Sequence, residues 1–256
     1  MSKPVGPHRP KLSMPIFNFV AMVARPVGRK EVRETPAAQE AIFKEWEGLR
    51  KRGVWRECNV RERADVIAEA KAAGVEVQFG RVHCICVEKN SELPLDNPRR
   101  KYKGRAVFLG NQVTNQDYEQ ATFAELGNSP ASIEASRLVD FWACAPRNDG
   151  GGTDGVQAYC QARLLGSKCW IALPLDAIVD KELWAQYKDP ATLMEFALYG
   201  HVDSPTSWET HCDLELARAG FEPLGAEWPS VCYHPELHLL LSVYVDDFKM
   251  PGPAAS

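Results

Sequence analysis

No apolar run in this sequence comes near the roughly 18 residues that span a bilayer, so nothing in it argues for a transmembrane helix. It also lacks any Cys-x-x-Cys pair, the spacing of redox dithiols and of many zinc sites. The eight cysteines (Cys58, Cys84, Cys86, Cys144, Cys160, Cys169, Cys212 and Cys232) sit among apolar neighbours. That suits reduced core thiols in an intracellular protein, with a cytoplasmic or nuclear location and no membrane partner. Cys84 and Cys86 share one face of a strand-like run, which by itself is a weak metal site. No internal repeat is present. Acidic residues are nearly missing as far as Glu31. Residues 1–34 hold seven Lys/Arg against two Glu, and the overall net charge is −4, so the rest of the chain is strongly acidic. An acidic body argues against tight, charge-driven binding of nucleic acid, and any such binding has to rest on local basic patches.

What is present is ordinary globular material: 256 residues, 45% hydrophobic and 25% charged, with seven Trp and ten Phe for a core. Residues 1–34 read as a basic, poorly ordered leader. A cleaved targeting segment is the rival reading there, since Lys3, Arg9 and Lys11 precede the apolar stretch Met14–Ala24.

Thr35-Pro36 predicts a helix start, Ile42, Trp46 and Leu49 recur at helical spacing, and Gly53 predicts the stop. Asn59 with Glu62 resembles a capping box for a second helix that ends at Gly74. Val75–Glu88 and Tyr102–Leu109 read as strands separated by a Pro/Asn loop. A third helix is predicted from Ser129-Pro130, with Ala135, Leu138, Val139 and Trp142 as its apolar stripe. Asn148–Gly152 reads as a Gly-rich turn, and 154–165 as a strand end followed by a helical pattern. Ser204-Pro205 predicts a helix carrying Trp208, Cys212 and Leu216, closed by Gly220. Val231–His234 and Leu237–Val245 read as paired strands, the second apolar enough to be central and covered on both faces. Pro251-Gly252-Pro253 should end regular structure. The class is α+β, with helices on an antiparallel sheet. An end so close behind a buried strand suggests a fragment.

Four elements carry chemistry. Tyr244-Val245-Asp246-Asp247 follows the apolar strand, and adjacent carboxylates there are costly unless a cation compensates them. Mg²⁺, which prefers carboxylate and phosphate oxygens, would do so, although Asp-Asp is also a common turn dipeptide. Asp154-Gly155-Val156-Gln157-Ala158-Tyr159 could bring a further carboxylate beside that pair. Two-metal phosphoryl transfer needs acids from separate strands to meet at ions roughly 4 Å apart. Taken alone, Asp154 reads as a turn or cap residue. Leu198-Tyr199-Gly200-His201-Val202-Asp203-Ser204-Pro205, with Trp208 beyond, places a glycine before a helix start, where backbone could approach a flat ligand. Arg99, Arg100, Lys101, Lys103 and Arg105 put five cations in seven residues. On a strand, Lys101, Lys103 and Arg105 share a face that suits a triphosphate, or simply guards an edge.

The order and spacing of these elements resemble the copia-type retrotransposon reverse transcriptases, part of a retrovirus-related Pol polyprotein. That family shows Y-K-A-R-L-V, D-V-K-T-A-F, L-Y-G-L-K-Q-S-P with a nearby Trp, and Y-V-D-D. This chain has Tyr102-Lys103-Gly104-Arg105-Ala106-Val107, Asp154 to Tyr159, Leu198-Tyr199-Gly200 with Ser204-Pro205 and Trp208, and Tyr244 to Asp247. The resemblance covers about residues 36–250, and Trp170-Ile171-Ala172-Leu173-Pro174 extends it. It implies a right-hand polymerase: fingers in 35–127, and a palm in 128–256 that stops before the thumb and RNase H regions of a longer polyprotein. It implies an RNA-directed DNA polymerase with two Mg²⁺ ions on Asp154, Asp246 and Asp247, the first two holding the metals most directly. Lys103 and Arg105 would meet the triphosphate, Tyr159 would lie under the sugar, and Tyr199 and Gly200 would contact nucleotide and template. Its partners would be deoxynucleoside triphosphates and an RNA or DNA template with primer. The chain departs from the family at His201-Val202-Asp203, which drops a Lys and adds an acid, and at Gly155, where a β-branched residue is usual. Two rivals remain: a remnant of the same fold without turnover, and an unrelated metal protein using Cys232, His234 and His238.

Overall fold

The computed structural model describes residues 24–121, 123 and 130–254, which form a mixed α+β fold with two sheets and six helices. Strand β1 (Ala24–Pro26) and helix α1 (Arg29–Glu34) come first, and β1 pairs with the end of β3 (Val77–Lys89). The expected leader is therefore ordered from Ala24. Arg25 is the reason: its guanidinium joins Glu31 at 2.6 Å and the buried Glu88 at 2.7 Å. The targeting alternative falls on residues 1–23, outside the described part.

Helix α2 (Pro36–Arg52) starts and stops where the sequence predicts, with Gly53 left-handed at φ 74°. Its Trp46 and Leu49 bury into the main core with Trp55, Phe108 and Ile171. Strand β2 (Arg61–Glu62) leads into α3 (Arg63–Ala73), which ends at Gly74 as predicted. The capping box is not formed. Asn59 lies in a 3₁₀ turn, and the Glu62 carboxylate accepts instead from the Lys188 and Asp189 backbone N–H groups. Strand β4 (Lys101–Phe108) forms a long antiparallel hairpin with β3, and β5 (Thr114–Asn115) also pairs with β3.

Helix α4 (Ile133–Ala143) starts later than predicted. Ser132 caps it, its hydroxyl accepting from Ala135 N–H at 3.1 Å, while Ser129 lies outside the described residues. Asn148–Gly152 is not a turn but the body of strand β6 (Asn148–Asp154), and the following helical pattern is only a 3₁₀ turn at Ala158–Gln161. Strands β7 (Lys168–Ala172) and β8 (Pro190–Leu193), with short helix α5 (Lys181–Trp184) between them, return to the first sheet. There β7 runs parallel to β3, so a division of the chain at 127/128 does not divide the sheets.

Helix α6 (Ser204–Arg218) precedes β9 (Glu222–Pro223), β10 (Val231–His234), β11 (Leu239–Tyr244) and β12 (Asp247–Pro253). The second sheet is antiparallel in the order β6-β12-β11-β10-β9. As predicted, β11 is central and covered on both faces. Leu241 and Val243 meet Trp208 and Cys212 of α6, and Leu240 meets Ala135 and Val139 of α4. Pro251 and Pro253 do not break structure, contrary to expectation. Past Lys249, β12 has left β11 and pairs only with β6, an edge position that tolerates residues without an N–H. No helix among the described residues is long and apolar enough to cross a membrane.

Candidate functional site

The turn joining β11 to β12 has two residues, Val245 and Asp246, between the paired Tyr244 and Asp247. Val245 sits at φ 58°, a costly region for a β-branched side chain. Two contacts hold it there. Trp208 donates its indole N–H to the Val245 carbonyl at 2.7 Å, and Gly155 N–H donates to the Asp246 carbonyl at 2.6 Å. The second bond ties the turn to the end of β6, where Asp154 stands directly opposite Asp247 in the register.

Three carboxylates thus meet at one end of the second sheet. Desolvation and the neighbouring Asp246 and Asp154 carboxylates push the Asp247 carboxyl above the usual aspartate range. None of the three is ion-paired to a described Lys or Arg. Beside them a cavity of about 360 Å³ is lined by the acids Asp154, Asp246 and Glu45 and by the cations Lys89, Lys103 and Arg105. Burial, then Arg105 and Lys89, push the Lys103 ammonium down, and Asp246 opposes that shift. Tyr199 also lines the cavity, with the Arg105 guanidinium 5.5 Å from its ring centre.

Tyr159 lies one layer back. It lines a neighbouring apolar cavity with Trp208, and its ring centre is 4.6 Å from that of Tyr199. Burial and then Asp246 push both phenols up.

Other sequence expectations are corrected. Gly200 does not line the cavity. Its φ of 94° serves close packing on β4, where a Cβ would stand 2.1 Å from the Phe108 carbonyl oxygen. Asp203 adds no acid to the cavity: it is 5% exposed and packs beside Gly166. His201 is likewise buried, between Phe108 and Phe123. Arg100 turns away from the basic face to Glu88, at 2.6 Å. At Gly155 a Cβ would meet only ordinary contacts of 3.4–3.5 Å, so glycine is not required there. The Cys232, His234 and His238 set is not a metal site. His234 spends its ring nitrogens on the Ala219 carbonyl and the Leu237 N–H, and His238 on the Tyr233 hydroxyl.

Sequence reasoning missed Lys89, Glu45 and Gln157, which also line the cavity. Lys89 was legible in principle, since hairpin pairing sets it opposite Lys101. Glu45 had no local signal; it reaches the free edge of β4 and accepts from Ala106 N–H at 3.0 Å. Gln157 is held by Arg52 at 2.7 Å.

Among the described residues, no group of three His, Cys, Asp or Glu is arranged to hold a metal by itself. No protein-family model, curated protein or solved structure matches the chain.

Proposed function

We propose that this chain is the fingers and palm of an RNA-directed DNA polymerase of the copia type, working by two-metal nucleotidyl transfer. One observation carries the reading. Asp154 and Asp246, from separate segments, line one cavity together with Lys103 and Arg105, with Asp247 in register beside Asp154. A triphosphate with its divalent cations needs both carboxylates and cations within one cavity.

Asp154, Asp246 and Asp247 would hold two Mg²⁺ ions, which would activate the primer 3′-hydroxyl and neutralise charge on the leaving pyrophosphate. Lys103, Arg105 and the unforeseen Lys89 take the triphosphate oxygens. Tyr199, braced by Arg105 and Tyr159, packs against the nucleotide, and Tyr159 limits room at the sugar. Template and primer are the remaining partners. Asp246→Asn should cost roughly a thousandfold in primer extension, the several kcal/mol of charge stabilisation at such a site. Undiminished extension by that variant would sink the assignment.

A second reading keeps the fold and the nucleotide cavity but has no turnover. The lack of a self-sufficient metal group among the described residues favours it. Nucleotide binding with no extension at any Mg²⁺ or Mn²⁺ concentration would select it.

A further inference from the structure

A second cavity, of about 380 Å³, opens on the first sheet away from the aspartates. Its floor is Phe79 and Arg81 of β3 beside their register partners Trp170 and Ala172 of β7. Arg63, at the start of α3, stands 4.4 Å from the Phe79 ring centre and 5.1 Å from that of Tyr118. Arg63 is steadied by the Thr114 hydroxyl at 2.9 Å, with Asp189 at 3.9 Å. Tyr118 is 68% exposed and left-handed at φ 62°. Its loop is fixed by Asn115, whose side-chain oxygen accepts from the Asp117 and Glu119 N–H groups. An exposed aromatic ring is thus held in a strained backbone over a guanidinium, with no ring of the described residues stacked on its outer side. Arg81 is exposed and has no ion-pair partner among the described residues.

The position of Arg81 matters as much as its freedom. Alternate residues of a strand share a face, and so do cross-strand partners. On the solvent side of the β3–β4 hairpin this sets Arg81, His83, Ile85, Val87 and Lys89 beside Lys101, Lys103, Arg105 and Val107. The face carries five cations and no carboxylate. It reaches from the second cavity to Lys103 and Arg105 at the first, with His83, Ile85 and Val107 between, four residues or roughly 13 Å from Arg81 to the partner of Arg105. Such a track offsets the acidic body locally. Stacking rings beside a cationic track are the two parts of a single-strand site.

We propose that the Phe79–Arg81–Tyr118 cavity holds one unpaired nucleotide of a single-stranded nucleic acid, its base on Tyr118 and its phosphate on Arg81. Naming that strand as template rests on the polymerase reading; the binding itself does not. Fluorescence anisotropy of the full chain with a labelled thymidine homo-oligomer of about a dozen nucleotides tests it. Tyr118→Ala should weaken binding about tenfold with the salt dependence unchanged, because a stacked base is lost. Arg81→Gln should weaken it and lower the log–log salt slope by about one, for one phosphate contact. Free thymidine monophosphate should not compete at equal nucleotide concentration. The proposal is overturned if both cavity variants bind like wild type while remaining folded by circular dichroism. It is also overturned if the monophosphate displaces the oligomer, or if the wild type binds more weakly than about 100 μM, the floor of non-specific affinity. A chain that fails primer extension yet shows the Tyr118 and Arg81 effects would refute the polymerase reading and leave this one standing.

Discussion

Trp208 donates its indole N–H to the Val245 carbonyl across 2.7 Å, joining α6 to the turn that presents Asp246. Val245 has a left-handed backbone that its branched side chain disfavours, so the turn keeps its shape only while something outside holds it. Trp208→Phe keeps an aromatic ring against Phe248 but removes the donor and the fused pyrrole ring. It should lower stability by more than about 1 kcal/mol, the lost hydrogen bond plus a cavity in the core. Under the polymerase reading, kcat in primer extension should fall more than KM changes, because the turn would position a carboxylate and not bind substrate. Equal loss in both parameters would mean that Trp208 merely supports the fold.

Asp247 supplies a sign test for the carboxylate cluster. Its raised pKa means that the folded state favours the protonated form, so the charged form destabilises the fold at neutral pH. That penalty fades as pH falls toward about 4, the ordinary aspartate range. Asp247→Asn should therefore raise Tm at pH 7, and the gain should shrink in acid, while under the polymerase reading nucleotidyl transfer would be lost. Millimolar Mg²⁺ should raise the Tm of the wild type and not of the variant, since a ligand bound only to the folded state stabilises it. A wild-type Tm indifferent to Mg²⁺ and Mn²⁺ would remove the metal from the proposal.

His201 titrates in the opposite sense. Burial lowers its pKa from 6.5 to about 4. Above pH 6.5 it is neutral in both states and costs nothing. As pH falls from 6.5 toward 4 the unfolded chain takes up the proton and the folded one does not, so stability drops by about 3 kcal/mol at the buried imidazole. His201→Asn keeps an acceptor for the Asp203 N–H, which His201 Nδ1 now receives at 3.1 Å, but does not titrate. Denaturant melts at pH 7 and pH 4 should show a smaller acid loss for the variant. The same loss in both would assign the acid sensitivity elsewhere.

Tyr159 tests the sugar pocket. Tyr159→Val removes the ring that braces Tyr199 at 4.6 Å. Under the polymerase reading it should raise the ribonucleotide-to-deoxynucleotide ratio of kcat/KM, because space opens for a 2′-hydroxyl. A well-folded, active variant with an unchanged ratio would make Tyr159 a packing residue only, with its cost confined to the melting temperature.

Two glycines separate conformational need from steric need. Gly53 and Gly200 both have positive φ, at 74° and 94°. A Cβ at Gly53 would meet nothing within 4 Å, whereas at Gly200 it would strike the β4 backbone. Gly53→Ala should cost about 1 kcal/mol, the left-handed penalty alone. Gly200→Ala should cost more than about 3 kcal/mol, in the range of a serious core clash. Similar melting temperatures for the two would show that β4 yields.

The local grammar of the chain set α2 between Thr35-Pro36 and Gly53, the stops at Gly74 and Gly220, the α6 start at Ser204-Pro205 and the apolar centre of β11. Each depends on residues a few positions apart, so each could be read without the rest of the molecule. The candidate motifs were legible in the same way, as short strings in order. Tertiary structure decided what pairs with what. Asn148–Gly152 has the composition of a turn and became a strand because β12 supplies partners along its length. Pro251 and Pro253 stayed in a strand because β11 had already left that edge. Glu62 abandoned its cap for the Lys188 and Asp189 amides, about 126 residues away along the chain. Asp203, which looked poised toward a ligand, turned inward beside Gly166, while Gly200 stays exposed with one side against β4. Residue types limit what a segment can do. Its neighbours, brought close by packing from distant positions, choose among those options, because backbone hydrogen bonds and buried charges must be satisfied wherever the partners lie.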